Sequence, residues 1–491
     1  MSHINRNEGQ KFYVTTPIFY PNAKLHMGHA YSATISDIFA RYSRLLGKDT
    51  YFLTGSDENT EKAVRAAAGA GQQVFPYLDG IIGGFKNLYK RLDISYDQFI
   101  RTTDKDNHWP GVEAFWKRMV DSGDIEKRSY EGLYCVGHES FITEKDLVDG
   151  KCPDHRETPQ RIKEENYFFI LSRYADKIRD IIASDAIRIV PTSRKNEILA
   201  LLKDGLEDVS FSRPADKMTL GIPVPGDNTQ KIYVWGDALT NYLTALGFGR
   251  KDHALYDRFW PADLHVIGKD ILRFHAAIWP GMLLSAGLPL PKNILVHGLI
   301  TSGGLKMSKT LGNVIDPVRL IDEYGADAVR YFVARHISPF EDGDMTMDSF
   351  KEAYNAGLAN GIGNLVSRIL KLTSDHRVSS DLPSKEDVFA DETVQSYAQS
   401  FDEFDIQKAC NHIWTRIASM DREIQETQPF KLVKSADAAS AARGKAILSK
   451  LYRELWIVAV LLEPIIPATA ATIQGLIRSN KMPSAPLFAR K

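Results

Sequence analysis

Phe12-Tyr13-Val14-Thr15, then Leu25-His26-Met27-Gly28-His29, then Tyr31, Ile35, Ile38, Tyr42 and Leu45 at steps of four and three: this run decides how the chain is read. The first four residues form a short apolar strand. The last five line one face of a helix. The histidine-bearing turn therefore joins a first strand to a first helix. In a doubly wound α/β sheet that turn presents free backbone N–H groups to anions. Two imidazoles three residues apart can flank a phosphate there, and Gly28 lets the backbone approach it closely. Taken alone, the same stretch also reads as a capped helix start with surface histidines.

A second stretch far downstream favours the phosphate reading. Ser302-Gly303-Gly304-Leu305-Lys306-Met307-Ser308-Lys309-Thr310 is a glycine-flexed loop with two lysines three apart. Histidines on an early turn and lysines on a late loop can grip one triphosphate from two sides.

The chain has 491 residues, which points to three or four domains. It is 44 % hydrophobic and 25 % charged, with a net charge of −1, so a general basic coat for nucleic acid is excluded. Any nucleic-acid partner must be held by local patches or by shape. Three cysteines, Cys135, Cys152 and Cys410, make no disulfide framework and suit a reducing compartment. The first eight residues carry no targeting pattern, which predicts a cytoplasmic protein. The longest apolar run, Leu455 to Leu462, is too short to span a bilayer and reads as a buried helix.

Working outward, Thr50-Tyr51-Phe52-Leu53-Thr54 is a buried-strand run ending in Gly55-Ser56-Asp57-Glu58. Asp57 is then either a carboxylate facing the ligand crevice or the N-cap of a helix from Asn59. From about Asp121 the texture turns polar. Cys135-x2-His138, a thirteen-residue spacer and Cys152-x2-His155 follow. Two thiolates and two imidazoles at this spacing suit a structural Zn²⁺; the alternative is a pair of hairpin turns that merely pack. Strand-like runs return at Lys231 to Ala238, Leu264 to Asp270 and Asn293 to Gly298, each ending in polar or glycine residues. From about 350 the pattern is helical, with Ile406, Cys410, Ile413, Ile417, Met420 and Ile424 on one buried face that stops near Pro429. Arg330 to Asp348 reads as a linker.

In this order and separation, His26-Met27-Gly28-His29 and Lys306-Met307-Ser308-Lys309-Thr310 resemble the two ATP motifs of the class I aminoacyl-tRNA synthetases. Three further blocks, Thr15 to Tyr20, Tyr233 to Tyr242 and Ile267 to His275, narrow the resemblance to the methionyl family. It implies a Rossmann-like doubly wound parallel sheet split by a zinc-knuckle insertion and followed by an α-helical bundle. The expected parts are residues 1–118 and 228–325 for the two catalytic halves and 119–227 for the insertion. Residues 326–353 would be a linker contacting the tRNA stem, and 354–491 an anticodon-binding domain.

The same resemblance implies ATP-dependent ligation of L-methionine to tRNA through methionyl-adenylate, with Mg²⁺ assisting. His26, His29, Lys306 and Lys309 would act on the phosphates, with Gly28, Asp270, His297 and Gly298 binding the rest of ATP. Ile18, Tyr20, Asp57, Trp235, Ala238, Tyr242, Ile271 and His275 would hold methionine, Asp57 taking the ammonium group; core packing is the other reading of Trp235 and Tyr242. Asn364, Arg368 and Phe430 would read the anticodon of initiator and elongator tRNA, although Asn364 and Arg368 also read as plain helix-surface residues. Phe430 stands where the family has Trp, Asp421 where it has Asn, and His138 where it has Cys. The chain ends soon after the bundle, which favours a monomer. The rivals are another class I synthetase, a nucleotidylyltransferase and a non-catalytic tRNA-binding relative.

Overall fold

A computed structural model describes residues 9–135, 140–153, 156–307 and 313–491. Its centre is a six-stranded, all-parallel sheet. Strand β1 (Lys11–Thr15) lies in the middle, with β2 (Asp49–Ser56) and then β3 (Gln98–Arg101) on one side. Leu264–Gly268, Asn293–His297 and Arg188–Val190 follow in that order on the other side. Val14 pairs with Phe52 on one flank and with Leu264 on the other. The strand order thus reverses at β1, and a crevice opens at the carboxyl ends of β1 and Leu264–Gly268.

Alternation along the strands sends neighbouring side chains to opposite faces. Tyr13, Leu53, Ile267, Ile294 and Val296 join one core, with Phe115 and Trp279. Val14, Phe52, Val266 and Leu295 join the other. A sheet buried on both faces reads in sequence as unbroken apolar runs, as these strands do. Helix α1 (Met27–Leu45) covers the second face with Tyr31, Ile35, Ile38 and Tyr42, as its spacing predicts. That core continues without a break into the C-terminal helices, of which Ile406–Thr427 and Ala438–Leu461 are the longest. Ile406–Thr427 starts on an Asp405 cap and ends at Gln428, whose left-handed backbone turns the chain into Pro429.

Three readings are corrected. Lys231 to Ala238 is not a strand of the main sheet. The strand Asp227–Ile232 pairs antiparallel within a three-stranded sheet, and Val234–Ala238 is a helix. The β-branched and aromatic run suggested extension, but packing of the 3–4 spaced face from Trp235 to Tyr242 decides for helix.

Residues 119–227 are not wholly an insertion, because Arg188–Val190 forms the edge of the parallel sheet beside Asn293–Leu295. The inserted part proper is a four-stranded antiparallel sheet of Ser140–Ile142, Ile125–Cys135, Gln160–Phe169 and Val209–Ser210.

Arg330 to Asp348 is not an open linker, since its first residues belong to the buried helix Ala326–Arg335. Arg330 is wholly buried and pairs with Asp37 of α1 at 2.7 Å. It also donates to the carbonyls of Leu92, Pro464 and Ile465. The guanidinium thus ties α1, the C-terminal end of the helix Val74–Arg91 and the bundle into one unit.

Candidate active site

The crevice at the strand reversal is a cleft of about 520 Å³. His26 is the N-cap of α1, its Nδ1 accepting the Gly28 N–H at 3.1 Å, while His29 Nδ1 accepts the His26 N–H at 3.2 Å. The two rings lie 3.9 Å apart, and His29 meets Phe19 edge-on. Burial and the neighbouring His26 imidazole push the His29 pKa down to about 3, so its ring is neutral at pH 7. With Nδ1 accepting, the neutral His29 ring carries its proton on Nε2, a donor at a helix N-terminus.

His297, which ends its strand, also lines the cleft beside α1. Its Nδ1 is 2.8 Å from the Gly298 carbonyl, which only accepts, so Nδ1 holds the proton. Nε2 then accepts from Ser32 Oγ at 2.7 Å. Burial lowers the His297 pKa, in keeping with a neutral ring. A side chain on Gly298 would strike the Glu341 carbonyl at 2.1 Å, so only glycine allows this passage.

The other end of the cleft is apolar. Trp235, Ala238, Leu239 and Tyr242 recur at helical spacing and face it. Trp235 stacks on Phe274 with centroids 3.6 Å apart. Tyr242 Oη lies 2.7 Å from His275 Nε2, and His275 Nδ1 donates to the Ile271 carbonyl at 3.0 Å. Burial pushes His275 down to about 4, so Tyr242 donates to a neutral ring. Asp57 also lines the cleft, its N–H donating to the Phe19 carbonyl at 3.0 Å. The cap of helix α2 (Glu61–Gly69) is Thr60, not Asp57, which settles the two readings of Asp57 against the cap.

Every residue expected to touch methionine therefore lines this cleft, as do His26, Gly28, His29, Asp270, His297 and Gly298. Ser32 and Phe274 went unnoticed in the sequence. Ser32 lies one turn beyond His29 on the same helix face, a signal that spacing carries; Phe274 shows its role only through the stack. The lysine loop follows a hairpin in which Ile300–Ser302 pairs with Leu305–Lys306 across Gly303 and Gly304, both at positive φ. The Lys306 side chain, Ser308, Lys309 and Thr310 lie outside the described residues.

In the insertion, Cys135 and Cys152 are both buried. Cys135 ends the strand Ile125–Cys135 and pairs with Ser140, and the Cys152 N–H bonds the Glu157 carbonyl at 2.9 Å. His138 and His155 lie outside the described residues. Among the described residues no group of three or more His, Cys, Asp or Glu side chains is placed to hold a metal.

In the bundle, Asn364 and Arg368 lie one turn apart on Asn364–Asp375, Asn364 exposed and Arg368 ion-paired with Asp421. Phe430 is exposed on the short helix Pro429–Leu432.

The family model described as tRNA synthetases class I (M) matches residues 12–162 and 155–370. A methionine–tRNA ligase of Clostridium acetobutylicum is 45 % identical over 478 residues, covering 95 % of this chain and 73 % of the relative. That of Clostridium perfringens is 43 % identical, covering 96 % and 73 %. A solved structure of Mycobacterium tuberculosis methionyl-tRNA synthetase in complex with methionyl-adenylate superposes with a TM-score of 0.90 at 38 % identity, covering 95 % of this chain and 94 % of that one. The apo form of the same organism's enzyme gives 0.85 at 34 % identity over 99 % of both chains.

Proposed function

Since the chain belongs to the methionyl-tRNA synthetases of class I, we propose that its central cleft activates methionine with ATP and passes the methionyl group to tRNA. The protein is a methionine–tRNA ligase. One observation carries the assignment of the cleft. A single cavity at the sheet reversal collects the two motif histidines, two carboxylates, Asp57 and Asp270, and an aromatic shelf.

Methionine carboxylate attacks the α-phosphorus of ATP in line, and pyrophosphate leaves. The chain's task is to place the two reactants and to meet the developing charge. Asp57 takes the ammonium group. Trp235, Ala238, Tyr242, Ile271 and His275, with Ile18 and Tyr20, surround the thioether, whose polarizable sulfur suits aromatic walls. A neutral His275 matches an uncharged side chain. His26 and His29 donate from Nε2 to phosphate oxygens. Gly28 and Gly298 let backbone approach the nucleotide, and Asp270 and the His297 segment take the nucleoside. Lys306 and Lys309 would close over the phosphates from the loop, with Gly303 and Gly304 as the hinge. Mg²⁺ would share the charge of the departing pyrophosphate.

Two buried cysteines, Cys135 and Cys152, fit half of a structural Zn²⁺ set. Cys135, His138, Cys152 and His155 would hold the ion, which would cross-link the segments that carry them and supply no reaction chemistry. Asn364, Arg368 and Phe430 would read unstacked anticodon bases of initiator and elongator tRNA by hydrogen bonds and stacking. We place the enzyme in the cytoplasm as a monomer. No described helix is long and apolar enough to cross a membrane.

Rapid-quench measurement of adenylate formation from ATP labelled at the α-phosphate tests the mechanism. One methionine-dependent adenylate per chain is expected. His29→Asn is expected to slow the step about 10²-fold while methionine still binds. Absence of methionine-dependent adenylate refutes the reading.

A further inference from the structure

Behind the cleft lies a buried polar chain that the mechanism above does not use. His108 and Asp237 are both wholly buried, with Nε2 2.5 Å from Oδ1. The other ring nitrogen lies 2.7 Å from Thr244 Oγ1. The second Asp237 oxygen accepts from Asn59 Nδ2 at 2.6 Å, and that same amide donates to the Thr102 carbonyl at 2.9 Å. Polar groups this deep are costly to bury unless every partner is in place, and a fully bonded network is stiff.

Its position gives the network a meaning. Trp235, Ala238 and Tyr242 face the cleft. Asp237, on the same helical stretch, instead faces His108 and Asn59. On the neighbouring loop, Asp57 lines the cleft while Asn59, two residues on, reaches back to Asp237. One carboxylate thus fastens the loop that presents the ammonium-binding group to the helix that presents the thioether shelf. His108, at the N-cap of Trp109–Asp121, anchors that carboxylate to a third element and to Thr244 on the far side of the same helical stretch.

We propose that the His108–Asp237–Asn59 chain is a positioning device that fixes the separation of Asp57 from the Trp235–Tyr242 face and so sets the length of side chain the site accepts. The proposal rests on the assignment of both groups to methionine above. These residues touch neither substrate; they act through Asp57 and the helix. A pocket discriminates one methylene by only about 10- to 200-fold even when stiff, so a loosened spacer has little selectivity in reserve.

The test is ATP–pyrophosphate exchange by the full chain with methionine, its S-ethyl homologue and S-methylcysteine. For His108→Leu, the methionine KM is expected to rise about tenfold and the ATP KM to stay within about twofold. Preference for methionine over the S-ethyl homologue is expected to fall about fivefold. His108→Gln, whose amide N–H can still reach Asp237, is expected to restore most of that preference. Thr244→Val removes only the hydroxyl behind the ring. It is expected to shift the preference the same way by about twofold, and it serves if His108→Leu does not fold. Methionine and ATP KM values rising together, or unchanged preference in these variants, overturns the proposal. Asp57→Asn separates the two claims. If it leaves the methionine KM unchanged, the assignment of Asp57 falls and the proposal with it. If it raises that KM while the His108 and Thr244 variants keep full preference, the proposal alone falls.

Discussion

Replacing Arg330 by methionine keeps much of the side-chain volume and removes the charge that joins the catalytic sheet to the bundle. The guanidinium is wholly buried, contacts Asp37 at 2.7 Å and donates to three carbonyls, of Leu92, Pro464 and Ile465, at 2.8 to 3.2 Å. Breaking one side of a buried ion pair costs about 3–5 kcal/mol, because the remaining charge is stranded. Each orphaned carbonyl adds about 1 kcal/mol. Asp37 keeps Arg41 Nε at 2.8 Å and two donors on Ser95 at 2.6 Å, which offsets part of the loss. Burial alone would raise the Asp37 pKa, but Arg330, Arg41 and Ser95 together hold it below the usual carboxylate range. The expected apparent loss is therefore about 3–5 kcal/mol, read as a fall in the urea midpoint by circular dichroism at pH 7. Asp37→Leu combined with Arg330→Met leaves no stranded charge and is expected to recover at least 1 kcal/mol, roughly, of the sum of the single losses. An Arg330→Met midpoint indistinguishable from the unaltered chain, or strict additivity in the double variant, refutes the reasoning.

Arg368→Ala is expected to reduce charging of tRNA(Met) about tenfold or more while leaving pyrophosphate exchange nearly intact; an equal fall in both refutes the anticodon role. Elemental analysis of the purified chain is expected to find about one zinc per chain, with chelator lowering thermal stability. Zinc-free protein of unchanged stability removes the knuckle. His265 and His275 are buried and held neutral by that burial, His275 down to about 4. Their unfolded forms take up protons near pH 6.5, so the stability they permit is complete above that value and is lost as pH falls towards 4. His275→Gln is expected to flatten the fall in melting temperature between pH 6.5 and 5, and an unchanged slope contradicts the burial argument.

Some of this architecture was written in local spacing. His26 and His29 mark a strand-to-helix turn because the apolar period of α1 starts directly after them, and the strands of the crevice are apolar runs long enough to see. Elements that depend on distant partners were hidden. Arg188–Val190 is three residues long, too short to show a period, and joins the sheet only because Asn293–Leu295 offers an open edge. Trp235 sits in a run rich in strand formers, and only the stack on Phe274 and the buried face through Tyr242 make that run helical. Arg330 falls in a stretch that reads as a linker, since its carboxylate and carbonyl partners come from segments 134 to 293 residues away. His108 and Asp237 are 129 residues apart and belong to no ATP motif, so their contact was not legible in spacing.

The central claim is that the cleft at the sheet reversal selects methionine and joins it to AMP. ATP–pyrophosphate exchange with each of the twenty amino acids, by the purified chain without tRNA, tests it most directly. Exchange is expected with methionine and to fall near background with the other nineteen. Exchange with isoleucine or cysteine in place of methionine, or with none of the twenty, contradicts the account.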